Sequence, residues 1–505
     1  MSPAVTSKSS RPRLSCGALA LALAVGACAP TARGGGSGGT TSSGGATGSG
    51  GAGTGGATSS GGVTSSGGTA SSGGVTGSGG VTGSGGVTSS GGVTSSGGVT
   101  SSGGVTSSGG VSASGGAMPS GGAGGDGGAT SAIAIPRGGR CTPPSTARTA
   151  DAQAAYALWK QDLLTSDGAG TNGLRVRRPN SSGAVVNSTV SEGIAYGMLI
   201  SVYLGDQATF DKLWNYAQQF LDPNGLMNWY IGPDRSVLGM GGATDADEDM
   251  AFALLIADKK WGGMGSLSKT YLSLATAQIN LIWKYEVDHT MNDVPTPGDM
   301  GGGGGSVINI SYFAPAFYRA FGRATNQQTN WDHAVTTSYA IINATLNAAN
   351  KNQTNGLVPA WSTPAGVPMA RPNTSDPTYH QLDSCRTPFR LAQDYCWNNE
   401  PSALTYLKKI SSFYQTKGAT NILDGYNLDG TDHPQSASVG NQSAAFVGPA
   451  GVGAMADTTY ASLRDDAYVD VATKSLFAGS QYYNESWTVL SLIMMTGMMD
   501  DLTLP

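Results

Sequence analysis

Four carboxylates lie within five positions in the stretch GGATDADEDMAFALLIADKKWG, residues 241–262. They are Asp245, Asp247, Glu248 and Asp249, and an apolar helical pattern follows them at once. Acids in a first helical turn favour the positive end of the helix dipole, and Thr244 is placed to cap the helix. Those effects account for one or two acids, whereas adjacent carboxylates repel one another. The pattern therefore indicates that part of this cluster takes part in chemistry.

The same cluster has the spacing with which a calcium-binding loop begins. Asp245, Asp247 and Asp249 occupy the first, third and fifth positions of an EF-hand pattern. The pattern fails at Met250, where glycine is required, and at Ile256, where a bidentate glutamate is required. The chain has no CxxC or HExxH motif, and its four histidines are scattered. We therefore predict neither a metal site nor a cofactor.

Two further acids begin helical patterns elsewhere in the chain. Glu192 lies among small and apolar residues in SEGIAYGM, and Tyr196 follows it by one turn. Asp383 precedes Arg386 by one turn. Each acid also has a purely structural interpretation. Glu192 could interact with the helix dipole, and Asp383 could cap a helix and form a local ion pair with Arg386. As a pair, a carboxyl in apolar surroundings and a carboxylate held ionised by arginine match the acid and base of glycoside cleavage.

Aromatic side chains near these acids favour a sugar substrate. Trp229, Tyr312, Trp361 and Trp397 could present flat faces to sugar rings, although each alone is more often a core residue. We predict that Trp229, Trp361 and Tyr196 contact the substrate.

The elements that must position these residues are mainly helical. The periodicity predicts helices over residues 150–164, 191–204, 207–220, 245–260, 267–286, 312–322, 330–349, 386–397, 402–416, 459–476 and 485–499. Alternating strand patterns are scarce. An all-α domain of this size could bury its helices as consecutive hairpins in a double-layered ring, with loops at one end forming a cleft.

The N-terminal part of the chain has a different composition. Residues 1–28 combine basic residues with a short apolar run, which is typical of an export signal. They end in a sequence that resembles a bacterial lipobox, in which Cys28 would be lipidated. Residues 29–140 repeat units such as SSGGVT and are predicted to be a disordered linker. Residues 141–505 form the predicted catalytic domain. Ordinary signal cleavage is the alternative to lipidation, so the protein would be either a surface or outer-membrane lipoprotein or secreted.

The charge and the cysteine positions exclude some binding partners and some disulfide pairings. The formal net charge is −5 and no basic cluster occurs, which argues against a nucleic-acid partner. If the segment CRTPFRLAQDYC is mainly helical, Cys385 and Cys396 lie about 16 Å apart, which is too far for a disulfide. Cys141 could pair with either of them. The domain is expected to act as a monomer.

The stretch ATDADEDMAFALLIADKKW, residues 243–261, resembles the signature of glycoside hydrolase family 8, an Ala-Thr-Asp-Ala/Gly-Asp run followed by an apolar helix that ends in tryptophan. SEGIAYGM, SYFAPAFYRAF and LDSCRTPFR resemble other blocks of that family, in the family's order. The resemblance covers residues 141–505, and the spelling ATDADEDMA is closer to the cellulase branch than to the xylanase branch.

This resemblance implies an (α/α)6 barrel that cleaves β-1,4-linked glycans internally with inversion. Glu192 would be the general acid and Asp383 the general base. Asp245 would bind and help distort the sugar, while Tyr312 and Arg386 would position the attacking water. Inversion requires room for that water, so the Glu192 and Asp383 carboxyl groups are expected roughly 6.5 to 9.5 Å apart.

Three functions remain to be distinguished. A β-1,4-glucanase acting on cellulose or mixed-linkage glucan is the leading one. A xylanase or chitosanase of the same family is the alternative within the class, because the loop PGDMGGGGGS lacks an aromatic residue that cellulases tend to carry there. A surface glycan-binding lipoprotein is the alternative outside it, and a binder would not need both Glu192 and Asp383.

Overall fold

The computed structural model describes residues 140–180, 184–300, 304–370, 378–434, 442–473 and 481–505, together with the backbone of short strands between residues 46 and 113. The predicted export signal and Cys28 lie outside the described residues. Within the described ranges, no helix is both long and apolar enough to cross a membrane.

The repetitive segment forms a unit of its own, residues 31–131. Its strands are β1 Ala46–Gly48, β2 Gly51–Gly53, β3 Ala57–Ser59, β4 Val63–Ser65, β5 Thr69–Ser71, β6 Val75–Gly77, β7 Gly80–Gly83, β8 Val87–Ser89, β9 Val93–Ser95, β10 Gly98–Ser101, β11 Val105–Ser107 and β12 Val111–Ala113. They pair in parallel within three four-stranded sheets.

The register of these strands follows the sequence repeat. Val63 pairs with Val81, and Val81 pairs with Val99, so the register advances by three six-residue units at a time. The strands differ from the disordered linker predicted for residues 29–140. Composition reports only that large apolar side chains are scarce there, whereas the period of the repeat also allows like residues to pair in register.

The remainder of the described chain is mostly helical. Its helices are α1 Thr149–Leu163, α2 Ser191–Leu204, α3 Gln207–Ala217, α4 Thr244–Trp261, α5 Tyr271–Tyr285, α6 Pro315–Thr325, α7 Gln328–Thr345, α8 Thr387–Asn398, α9 Pro401–Lys417, α10 Ala444–Ala454, α11 Ala461–Thr473 and α12 Tyr482–Met495. Short antiparallel strands connect them: β13 Leu164–Thr165 with β14 Arg175–Val176, β15 Thr189–Val190 with β16 Tyr230–Ile231 and β17 Val237–Gly239, β18 Val287–Asp288 with β19 Val294–Pro295, and β20 Ile308–Asn309 with β21 Trp361–Ser362.

Six of these helices pack in a closed succession. Helix α2 packs against α4, α4 against α6, α6 against α8, α8 against α10, α10 against α12, and α12 against α2. A second helix covers each of them: α3 on α2, α5 on α4, α7 on α6, α9 on α8, α11 on α10 and α1 on α12. Consecutive hairpins thus supply one helix to the inner succession and one to the outer layer.

The helical pattern of the sequence predicts eleven of these helices to within four residues at each end, but it misses α10. This helix, AAFVGPAGVGA, contains residues of low helix propensity, including Pro449. Every residue of it is buried. A Cβ at Gly448 would lie 2.3 Å from the Ser491 hydroxyl oxygen, and one at Gly451 would lie 2.9 Å from the Cβ of Ala467. Close packing from both sides therefore outweighs the local propensity.

A disulfide joins the start of the helical region to the end of α8. Cys141, ahead of α1, is bonded to Cys396 near the end of α8, at a sequence separation of 255. Cys385 is free and buried. This is one of the two pairings that the sequence leaves open.

We predict that replacing Cys141 and Cys396 together by serine lowers the free energy of unfolding by about 2 to 4 kcal/mol, because the unfolded chain loses a long-range cross-link. Urea unfolding of the wild type and the double variant measures the loss. Adding a reductant to the wild type should reproduce it and should leave the double variant unchanged. Equal stability of the two proteins under oxidising conditions would contradict the prediction.

Candidate active site

Glu192 is held at the start of α2 by backbone pairing. Strand β15 pairs with β16, and the Ser191 amide donates to the Trp229 carbonyl oxygen at 2.9 Å. Helix α2 therefore begins at Ser191 with Glu192 in its first turn. A Cβ at Gly193 would lie 3.0 Å from the Tyr482 ring, so the absence of a side chain lets α12 approach this turn. The Glu192 side chain remains 22% exposed.

Asp245 occupies the first turn of α4, but the expected Thr244 cap is wrong. The N-cap is Ala243, which provides no side-chain hydrogen bond, and Thr244 is the first helical residue. Asp245 itself accepts from the Ala246 amide at 2.9 Å. Its side chain is 3% exposed. Burial raises the pKa of Asp245 to about 7, although the nearby Arg386 guanidinium lowers it.

Arg386 connects the acids through a buried guanidinium. Its Nη1 donates to Asp245 Oδ2 at 2.6 Å and to Glu192 Oε2 at 2.7 Å. Its Nη2 lies 3.6 Å from Asp383 Oδ1. The local Asp383–Arg386 ion pair expected from sequence is therefore present but long, and the short bonds go to Glu192 and Asp245.

Asp383 is held from the other side by indole and amide groups. The Trp361 indole donates to Asp383 Oδ2 at 3.3 Å, and the Gln381 amide nitrogen lies 3.5 Å from the same oxygen. The Asp383 side chain is 17% exposed. Like Glu192, it is reachable from solvent while the arginine between them is not.

Tyr312 covers the guanidinium. The Arg386 Cζ lies 5.1 Å from the centroid of the Tyr312 ring, and that ring is 6.3 Å from the Trp361 ring. Burial raises the pKa of Tyr312 well above its ordinary value. Its hydroxyl therefore stays protonated and can donate a hydrogen bond.

Sequence reasoning missed Tyr482. Its hydroxyl donates to Glu192 Oε1, so Tyr482 and Arg386 occupy different oxygens of one carboxyl group. Its ring lies 5.8 Å from the Arg178 guanidinium carbon. The only signal in the sequence is a tyrosine pair ahead of the last helical pattern, and the contact depends on α12 closing against α2.

The structure separates the predicted sugar-contacting residues. The Tyr196 hydroxyl accepts a hydrogen bond from Arg386 Nη1 at 3.2 Å and so helps to hold the guanidinium. Because Tyr196 is only 1% exposed, its ring cannot stack on a sugar, and the prediction that it contacts the substrate is wrong. Trp229 stacks on Tyr230 with ring centroids 5.1 Å apart and is 8% exposed. Trp397 packs in the core beside Phe252 and Phe317, away from the acids, which corrects its reading as a sugar-stacking residue.

The other acids of the opening cluster point into the helical layers. Gln278 of α5 donates to Asp247 Oδ1 at 2.7 Å, Tyr318 of α6 donates to Glu248 Oε1 at 2.7 Å, and Arg390 of α8 donates to Asp249 Oδ1 at 2.5 Å. Each acid thus meets a different neighbouring helix. Asp245 alone of the four contacts Arg386.

A second group of carboxyls lies behind the start of α4. A Cβ at Gly242 would lie 2.8 Å from Asp247 Oδ2 and 3.1 Å from Glu286 Oε1. The Gly242 amide donates to Asp299 Oδ1, and Asp299 lies beside Asp222. Burial, followed by the facing carboxylates, raises the pKa of Asp247 and Glu286 well above the ordinary range. Burial and a hydrogen bond with Asp299 raise that of Asp222 to about 6. Across the described ranges, no three or more His, Cys, Asp or Glu side chains are arranged to hold a metal ion.

Comparison with known proteins identifies the family of the chain. The family model described as glycosyl hydrolases family 8 matches residues 143–497. The chain belongs to this family. It is 36% identical to Endoglucanase A of Acetivibrio thermocellus over 69% of each chain, and 38% identical to Endoglucanase 2 of Ruminiclostridium josui over 68% of this chain and 70% of that protein. The solved apo β-1,3-1,4-glucanase of Paenibacillus sp. X4 is 27% identical with a TM-score of 0.64, covering 73% of this chain and 99% of that one.

We predict that the family 8 domain becomes less stable as pH rises from about 5 to 8. A carboxyl with a raised folded pKa contributes stability that is present below its unfolded pKa, about 4, and is lost as pH rises through the folded pKa. Glu286→Gln removes one carboxyl that binds a proton in the folded state. It should therefore reduce the slope of the unfolding free energy against pH by up to about 1.4 kcal/mol per pH unit.

Urea unfolding at several pH values measures the slope. Asp466→Asn serves as the control, because it removes an exposed carboxyl that lies outside this buried group. A wild-type stability that is constant or increases over this range would contradict the prediction.

Proposed function

We propose that this protein is an inverting endo-β-1,4-glucanase that acts on cellulose or mixed-linkage glucan. The observation that carries the proposal is that two partly exposed carboxyls, Glu192 and Asp383, face opposite nitrogens of one buried guanidinium. Inverting hydrolysis uses two such carboxyl groups, kept apart so that a water fits between one of them and the sugar. The helical succession described above is assigned to an (α/α)6 barrel, with this site at one end.

Glu192 is assigned the role of general acid. Glu192 and Asp245 share the Nη1 of Arg386, so one positive charge faces two carboxyls. Burial and the facing Glu192 carboxyl raise the pKa of Asp245 to about 7, so Asp245 holds a proton near neutral pH. When a sugar hydroxyl takes over the hydrogen bonds of Asp245, the proton resides on Glu192 and passes to the leaving glycosidic oxygen. Tyr482 fixes the direction of that carboxyl.

Asp383 is assigned the role of general base. Its Oδ2 accepts from Trp361 and its Oδ1 faces Arg386, and both contacts favour the ionised form that removes a proton from water. The Tyr312 hydroxyl and the Arg386 guanidinium position that water. Trp361 and Trp229 flank the path of the glucan.

The substrate class rests on the relatives. The two curated relatives reported above are endoglucanases, and the solved neighbour is a β-1,3-1,4-glucanase. A xylanase or chitosanase of the same family is the alternative within the class, and a glycan-binding lipoprotein is the alternative outside it. No partner other than the polysaccharide is required.

We predict that Glu192→Gln and Asp383→Asn each lower kcat on carboxymethylcellulose or lichenan by at least about a thousandfold, because each removes a proton-transfer group. Reducing-sugar release measures the loss, with xylan and chitosan as competing substrates. Proton NMR of the first product should show the α-anomer. Asp466→Asn should retain wild-type activity.

Two results would overturn the proposal. An active Glu192→Gln or Asp383→Asn protein would remove that residue from its role. A folded wild type that releases no sugar from any of the four polymers would favour the binding lipoprotein.

We also propose that the protein is exported and anchored through a lipid on Cys28. The support is the sequence before residue 29, which combines a basic start, an apolar run and a lipobox-like end. Cys28→Ala should move the protein from the membrane fraction to the soluble fraction and abolish labelling by a radioactive fatty acid. A wild-type protein that stays soluble and unlabelled would indicate ordinary signal cleavage and secretion.

A further inference from the structure

A second buried ion pair lies one helical turn below the active-site pair. Asp249 follows Asp245 by four residues in α4, and Arg390 of α8 follows Arg386, the N-cap residue of α8, by four residues. Residues four apart lie on the same face of a helix. Arg390 Nη1 is 2.5 Å from Asp249 Oδ1, and the two side chains are 2% and 1% exposed. Helix α4 and the segment that runs from Arg386 into α8 therefore carry two stacked acid–arginine pairs.

Stability alone does not explain the lower pair. Removing two charges from water costs about as much as their attraction returns, and apolar residues of similar volume are often as stabilising. Arg390 is also incompletely bonded, since its Nε and Nη2 have no hydrogen-bond partner in the structure. An always-charged guanidinium with free donors, buried below the catalytic acids, acts on them through its electric field.

Several charged or titratable groups face this pair. They are Asp245 and Glu248 of α4, Glu192 and Tyr196 of α2, Tyr318 of α6, and Arg386 just ahead of α8. Besides Asp249, three carboxyl groups therefore lie around the guanidinium groups of Arg386 and Arg390. The charge on Asp249 therefore decides how much of the Arg390 field reaches Asp245 and Glu192.

We propose that Asp249 and Arg390 are positioning residues, which hold α4 and α8 in register and balance each other's charge so that the Glu192–Asp245 pair keeps its proton for catalysis. The inference rests on the proposed function, since it concerns the proton that Glu192 delivers. Neither residue touches the substrate in this scheme.

The test is the pH profile of kcat/KM on lichenan with the full chain. Asp249→Asn leaves the Arg390 charge uncompensated, because arginine does not lose its proton. That charge favours the ionised form of Asp245, so the basic limb of the profile, where activity falls as pH rises, should move down by about one pH unit. The double variant Asp249→Asn with Arg390→Met removes both charges and should bring the limb back close to the wild-type position.

The control is Asp394→Asn. Asp394 is a fully buried acid on α8 that pairs with Arg319 of α6, away from Glu192. Its loss should destabilise the fold without moving the limb. If Asp249→Asn and Asp394→Asn both lose stability and both keep the wild-type profile, the lower pair is merely structural and the proposal is overturned.

Infrared titration of protonated carboxyl groups gives a readout that does not depend on activity. Asp249→Asn should lose its protonated-carboxyl band at lower pH than the wild type does, and an unchanged titration contradicts the proposal. An inactive wild type would overturn the proposed function, whereas the infrared titration would still test the effect of Asp249 on the buried carboxyl groups. Should Asp249→Asn not fold, Arg390→Met replaces it. There the unpaired Asp249 takes up a proton, so a protonated-carboxyl band is gained at neutral pH, and its absence contradicts the proposal.

Discussion

The guanidinium of Arg386 is buried among carboxyls, and the rest of the domain is arranged around that charge. Its Nη1 bonds to Asp245 and Glu192, while Nη2 faces Asp383. A buried cation is costly unless its hydrogen bonds are met. Those bonds come from different segments of the chain, so the charge is satisfied only when α2, α4 and the turn before α8 are all in place. Folding of the scaffold and assembly of the site are therefore one event.

Small residues bring these segments close enough. Gly193 allows the Tyr482 ring to approach Glu192, and Gly448 allows α10 to lie against α12. Neither glycine carries chemistry. Their contribution is to remove a Cβ where two inner helices cross, which shortens the distance over which the acids can share one cation. The close-packed inner helices thus set the electrostatics of the cleft.

Sequence reasoning succeeds where the information is local. The helical pattern predicts α2 to the residue, and a family motif singles out Asp245 from its neighbours. It fails where the third dimension decides: α10 is helical because it is enclosed, and Tyr482 reaches Glu192 from the far end of the chain. It also overestimates ion pairs between residues that are close in sequence. Arg386 is three residues from Asp383 yet forms its short hydrogen bonds with Glu192 and Asp245, which are distant in sequence. In the repeat, composition predicts disorder while the period permits strand pairing.

The disulfide has a mechanical consequence. Cys141 is the first residue of the folded region after the repeat and is bonded covalently to Cys396 at the end of α8. A pull applied through the preceding chain therefore enters the domain at α8 and bypasses α1, which would otherwise peel away first. Arg386 and Arg390 belong to that same segment. The force therefore reaches the segment that carries these buried ion pairs without first detaching α1.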